Sequence, residues 1–147
     1  MRDMSQNIRT VIGLAPAVHT ADANGVTVDR LGFDSVTFAV AMGVGGDTFT
    51  GSKRLDFVME HSDDGATWSP VGADNVVGAE ADTAGVVLSQ VTAHAAADVR
   101  RFGYVDGTIG DRRYVRLNLD VVGTHSAGTP IAVTAILGNA AERPVAA

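Results

Sequence analysis

The strongest pattern in the chain is a run of strands with apolar side chains at every second position. Ser35 to Met42 alternates most cleanly, with Val36, Phe38, Val40 and Met42 on one face and Ser, Thr and Ala on the other. That pattern predicts a central strand whose second face is only lightly covered. Leu55, Phe57 and Met59 alternate with Asp56 and Glu60, and Val58 is the exception. Asp63-Asp64-Gly65 then signals a hairpin, because Asp hydrogen-bonds its own turn and Gly takes positive φ without a Cβ clash. Trp68 opens the return strand, and Pro70 predicts an edge or an early end for it. Further on, Val115, Leu117, Leu119 and Val121 are predicted to face inward, and Tyr114, Arg116, Asn118 and Asp120 outward. Ile131, Val133, Ala135 and Leu137 share one face of a last strand, and Asn24-Gly25 introduces a short one at Val26 and Val28.

Six to eight short strands joined by turns predict an all-β chain: a single antiparallel β-sandwich, jelly-roll or immunoglobulin-like, with long loops. Val36, Phe38, Val40, Phe57, Val115, Leu117, Leu119 and Val133 are expected in its core. Residues 23–138 form the sandwich in this reading, residues 139–147 a tail that is exposed or partner-bound, and residues 1–22 an N-terminal arm or an edge strand. The first segment carries Ile8, Val11, Ile12 and Leu14 before Pro16. Val11 to Val18 suits a first strand at a sheet edge, where proline is tolerated, and what precedes it suits an arm laid on another subunit. Alanine accumulates between residues 71 and 99, and Ala93 to Asp98 reads equally as a turn or two of helix or as an exposed loop.

Composition narrows the chemistry. At 147 residues the chain is one domain by size, and the absence of cysteine removes thiolate catalysis, Cys-based zinc sites and disulfides together. No stretch has the length or apolar character of a signal peptide or a bilayer span, so the expectation is a soluble protein made in the cytoplasm, without membrane contact. A net charge of −6 argues against nucleic acid as a partner. The arginines at 100, 101, 112, 113 and 116 are a small cluster better suited to solvated strand faces and partner contacts.

Motifs for catalysis or cofactors are missing. Gly43 to Gly51 reads as a flexible glycine-rich loop without the spacing or lysine of a phosphate loop. His19, His61, His94 and His125 lack metal-ligand spacing, Asp63 and Asp64 lack the rest of a calcium loop, and G-x-S-x-G is absent. No metal, no cofactor and no enzymatic activity are expected. Trp68 suits hairpin packing better than sugar stacking, and an arginine stacked on Tyr114 competes with ordinary solvated strand residues.

Gly32-Phe33-Asp34-Ser35, the glycine-rich loop, Ser62-Asp63-Asp64-Gly65-Ala66-Thr67-Trp68, Gly103-Tyr104, Arg113-Tyr114-Val115-Arg116 and Leu137-Gly138 occur in that order. Together they resemble small virion structural proteins of tailed bacteriophages, of the capsid decoration or cement type, over Leu31 to Gly138. Similar fragments occur in discoidin-like and carbohydrate-binding modules. The resemblance implies a non-enzymatic protein of the phage head, assembled in the host cytoplasm. Its partner would be the major capsid protein or another virion protein, and it would act as a homo-oligomer, a trimer being one option. Docking would use the N-terminal segment and the surroundings of the hairpin, which makes Ile8, Val11, Ile12, Leu14, Trp68, Tyr114 and Arg116 the expected partner-binding residues. The alternative, a carbohydrate-binding or host-adhesion module, would present Trp68, Tyr104 and Tyr114 on an exposed face.

Overall fold

The computed structural model describes residues 4–90, 97–105, 112–142 and 145. Its strands are β1 (Arg9–His19), β2 (Val28–Asp29), β3 (Phe33–Met42), β4 (Arg54–Ser62), β5 (Ser69–Pro70), β6 (Val76–Val77), β7 (Val86–Gln90), β8 (Asp98–Val105), β9 (Tyr114–Val122) and β10 (Thr129–Ala140). Among the described residues the only helical pieces are single 3₁₀ turns at Met4–Gln6 and Ala73–Asn75.

The strands form two antiparallel sheets packed as a sandwich. The first has the order β1-β10-β3-β8-β6, and the second β2-β9-β4-β5, with β7 also paired to β4. Setting aside the two-residue strands β5 and β6, the arrangement is β1-β10-β3-β8 over β2-β9-β4-β7, which is the jelly-roll order. All eight residues expected in the core are buried to 2% exposure or less. Phe38 sits across from Ala135 on one side and Phe102 on the other, and Phe57 across from Leu119, so the period-two faces meet between the sheets.

Of the two readings of the first segment, the edge strand describes residues 9–19, which pair with β10 of their own chain from Arg9↔Leu137 to His19↔Thr129 at the margin of the first sheet. Register shifts on either side of Leu14 let Gly13 and Leu14 pack together against Val133, which explains why no clean alternation shows in the sequence. Other expectations need correction. Asn118, expected to face out, is buried because Gly25 lies against it: the Gly25 N–H donates to Asn118 Oδ1 at 2.9 Å, and Asn118 Nδ2 donates to Glu60 at 2.7 Å. The tail is not wholly exposed either, since β10 runs on to Ala140 and the Val145 N–H donates to the Gln6 carbonyl.

The glycine-rich loop is anchored rather than loose. Asp47, whose side chain is 3% exposed, accepts from the only lysine, Lys53, at 2.7 Å. It also accepts from the backbone N–H groups of Ser126, Ala127 and Gly128, which ties this loop to the β9–β10 connection. These donors hold the Asp47 carboxyl well below the usual carboxylate range, the Lys53 hydrogen bond most of all. Residues 93–96 of the proposed alanine helix, and the turn signals at Asp106-Gly107 and Gly110-Asp111, lie outside the described residues.

Candidate interaction surfaces

The two outer faces of the sandwich differ in kind. On the second sheet, outward positions of β4 and β9 carry an ordered polar network. Arg116 Nε donates to Glu60 Oε2 at 2.8 Å, and its Nη2 lies 2.7 Å from the same oxygen, which Asn118 also bonds. Above them the Arg116 guanidinium covers the Trp68 ring, 4.1 Å from its centre. Arg113 forms two hydrogen bonds to Asp29, at 2.9 and 2.6 Å, and its guanidinium lies 5.0 Å from the Tyr114 ring. Asp120, opposite Asp56 in register, has its carboxyl pushed up by desolvation and by Asp22, Asp56 and Glu60 nearby.

The first sheet turns a nearly uncharged face outward. Cα register places Ile12, Thr134, Ala39 and Arg101 in one row across it. Ala132, Ala41 and Val99 form the row on one side, and Thr10, Ile136, Thr37, Gly103 and Val77 the row on the other. Arg101 is the only charged residue in these three rows. Toward the Met42 end the face opens into a mainly apolar groove of about 510 Å³ lined by Pro16, Val18, Met42, Val99 and Pro130, with Asp98, paired to Arg100, at its margin.

The expected partner-binding residues fall into separate groups. Ile8 and Val11 are half-buried, Ile12 is 58% exposed, and Leu14 belongs to the core at 6% and is not available to a partner. Trp68, Tyr114 and Arg116 are half-buried on the second sheet, so the structure does not bring them to the β1 edge. Sequence reasoning missed Val18, Val77 and Val99 as surface residues. The available signal was the Ser, Thr and Ala face of β3, which carries no charge between Ser35 and Met42.

Other groups with chemical potential are engaged in holding the fold. His61 Nδ1 lies 2.9 Å from the Tyr104 hydroxyl, which accepts the Arg112 N–H at 3.3 Å. Which of the two donates follows the tautomer of the ring, and burial lowers the His61 pKa, which favours the neutral imidazole. Tyr104 is fully buried, which removes it from any sugar-stacking face. In the hairpin Asp64 accepts from the N–H groups of Ala66 and Thr67 and from the Ser62 hydroxyl, so its carboxyl is held far below the ordinary range by the turn itself, the Thr67 N–H foremost. Gly65 supplies the positive φ, 72°, that the turn needs.

No protein-family model matches the chain, and a search of curated proteins finds no match. Among solved structures, the SPBc2 prophage-derived protein YomS superposes with a TM-score of 0.45 at 11% identity, over 89% of this chain and 92% of that one.

Proposed function

We propose that this chain is a non-enzymatic structural protein of a tailed-phage virion, acting as a capsid decoration protein on the head shell. The observation that carries the reading is the nearly uncharged outer face of the first sheet, with Arg101 its one charge in the three outer rows, since an exposed apolar patch of this kind suits a protein that works in an assembly, in contact with copies of itself or with other subunits. The ordered fragments that resemble decoration proteins lie on structural positions that fix the fold: Phe33 opens β3, the Asp64 turn closes the hairpin, and Arg113-Tyr114-Val115-Arg116 opens β9. Viral capsid domains use the jelly-roll order too, although a fold by itself does not assign a function. Engagement of Asp47, His61 and Asn118 in structural hydrogen bonds also favours a scaffold over a catalyst.

The carbohydrate-binding alternative is less well supported. It needs open aromatic faces, whereas guanidinium groups lie against Trp68 and Tyr114 and Tyr104 is buried. Locating the protein in purified particles by cryo-EM or immunogold labelling tests the proposal, with cosedimentation on empty heads as the binding measurement. Density or label on the head shell is the expected result. Absence from the particle together with binding on a glycan array would overturn it in favour of the alternative.

A further inference from the structure

We infer that the outer face of the first sheet is a self-association surface whose occupant is a second copy of this chain, packed sheet against sheet about a twofold axis. A sheet face turned to water normally carries charged and polar side chains, as the second sheet does with its Arg116–Glu60 and Arg113–Asp29 pairs. The first sheet does the opposite. Among the described residues eight large apolar side chains are exposed, and four of them, Ile12, Val18, Val77 and Val99, belong to the strands of this sheet at 56–68% exposure. Ile12, Val77 and Val99 share its outer rows by register, and Val18 lines the groove that continues the face.

Size and shape fit a second copy. Four strands about 4.8 Å apart and about 33 Å long present roughly 600 Å² in projection. Two such faces together remove roughly 1,200 Å² from water, the lower bound for a specific and stable interface. Small side chains at the centre, Ala39, Ala41, Ala132 and Thr134, let two sheets approach to the spacing of about 10 Å at which sheets pack in a sandwich.

Arg101, the one charge in the three outer rows, selects the geometry. An axis running along the strands between β10 and β3 places β1 of each copy over β8 of the other, so the exposed Ile12 lies over Arg101 of the same register row, where it packs on the arginine's aliphatic stem, with Val99 two residues along. In that arrangement the two Arg101 side chains start from opposite margins, three strand spacings or about 14 Å apart. At that distance their repulsion is largely screened at physiological salt. An axis across the strands would instead superpose β8 on β8 and bring the two arginines together. The surface is therefore self-complementary in one orientation, as a twofold interface requires.

The inference does not rest on the virion reading: a dimer that fails to bind heads would leave it intact while refuting the proposed function. Sedimentation equilibrium of the full chain from micromolar to several hundred micromolar decides it. A mass of about 30 kDa, twice the 15.1 kDa chain, is expected. Thr134→Lys and Ala41→Glu, both exposed on the face, should each weaken the dimer at least tenfold with unchanged circular dichroism. Asp120→Lys on the other sheet should leave it intact. A monomer at every concentration, a trimer, or a dimer insensitive to both face substitutions would overturn the inference, and the wild-type mass decides even if one variant does not fold.

Discussion

Arg116 holds its guanidinium 4.1 Å from the centre of the Trp68 ring while Nε and Nη2 both point at Glu60 Oε2. A planar cation is required to do both at once, because the fork reaches the carboxylate while its flat face lies on the indole. Arg116→Lys keeps the charge and loses that geometry. The expected cost is about 1 kcal/mol in urea unfolding, accompanied by a red shift of the single tryptophan's emission as its covered face meets water. An unchanged emission maximum and midpoint would show that the stack does not persist in solution.

Gly25 passes so close to β9 that a methyl group built on it overlaps the Leu117 carbonyl oxygen, a backbone atom that cannot rotate away. Gly25→Ala should therefore force strand and loop apart, also straining the Gly25 to Asn118 hydrogen bond, and cost about 3 kcal/mol. Gly51→Ala is the control: nothing lies within 4 Å of its added methyl, and a change within about 0.5 kcal/mol is expected. Thermal unfolding of the two variants side by side checks the contrast.

What the sequence made legible was each strand taken alone. In β3, β9 and β10 strict alternation marks the buried face, because one face of each strand meets the other sheet and local order carries the information. The pairing order was not legible, since β1 joins β10 and β2 joins β9 across most of the chain's length. Asn118 shows the same limit at one residue: its alternation was read as outward, which the register agrees with, but burial came from Gly25, 93 positions away. The Asp47 anchor was not legible either, as its donors are Lys53, the Ser126 hydroxyl and three backbone N–H groups some 80 positions away. By contrast, the apolar outer face was visible as Ser, Thr and Ala at alternate positions of β3, but a light cover and an uncovered interface look alike until the neighbouring strands are known.

Acid should destabilise the domain in two stages. Burial, with the Arg112 charge second, lowers the His61 pKa below its ordinary 6.5, and burial lowers His19 in the same direction. The unfolded chain then binds more protons than the folded one just below pH 6.5, so stability present above that value declines as pH falls through the lowered folded pKa. Asp47 and Asp64 have folded pKa values below the ordinary carboxylate value of 3.8, so what they contribute is present above that value and is lost as pH falls toward their depressed values. Melting temperature measured from pH 8 to pH 2 should show a shallow decline beginning near 6.5 and a steeper one below about 4. His61→Gln should flatten the first stage, and Asp47→Asn should lower the plateau and flatten the second. A profile with no change in slope between pH 7 and 5 in the wild type would contradict the account of His61.

Removing residues 1–17 tests whether the first strand belongs to the domain or to a neighbour. In the structure β1 satisfies one edge of β10 along its length and contributes Leu14 to the core, with Val11 packed against it. The Gly13 carbonyl also accepts the Val26 N–H, tying β1 to the segment that leads into β2. Loss of Leu14 burial alone is worth about 2–5 kcal/mol, a large part of the stability of a domain this size. The opened β10 edge adds unpaired backbone groups that invite aggregation. The shortened chain should therefore lose cooperative thermal unfolding, whereas removal of residues 1–7 leaves all of β1 and should lower the midpoint by only a few degrees. A 1–17 deletion that melts like the wild type would mean that β1 contributes nothing to its own sheet, and the segment would then be free to pair with another chain.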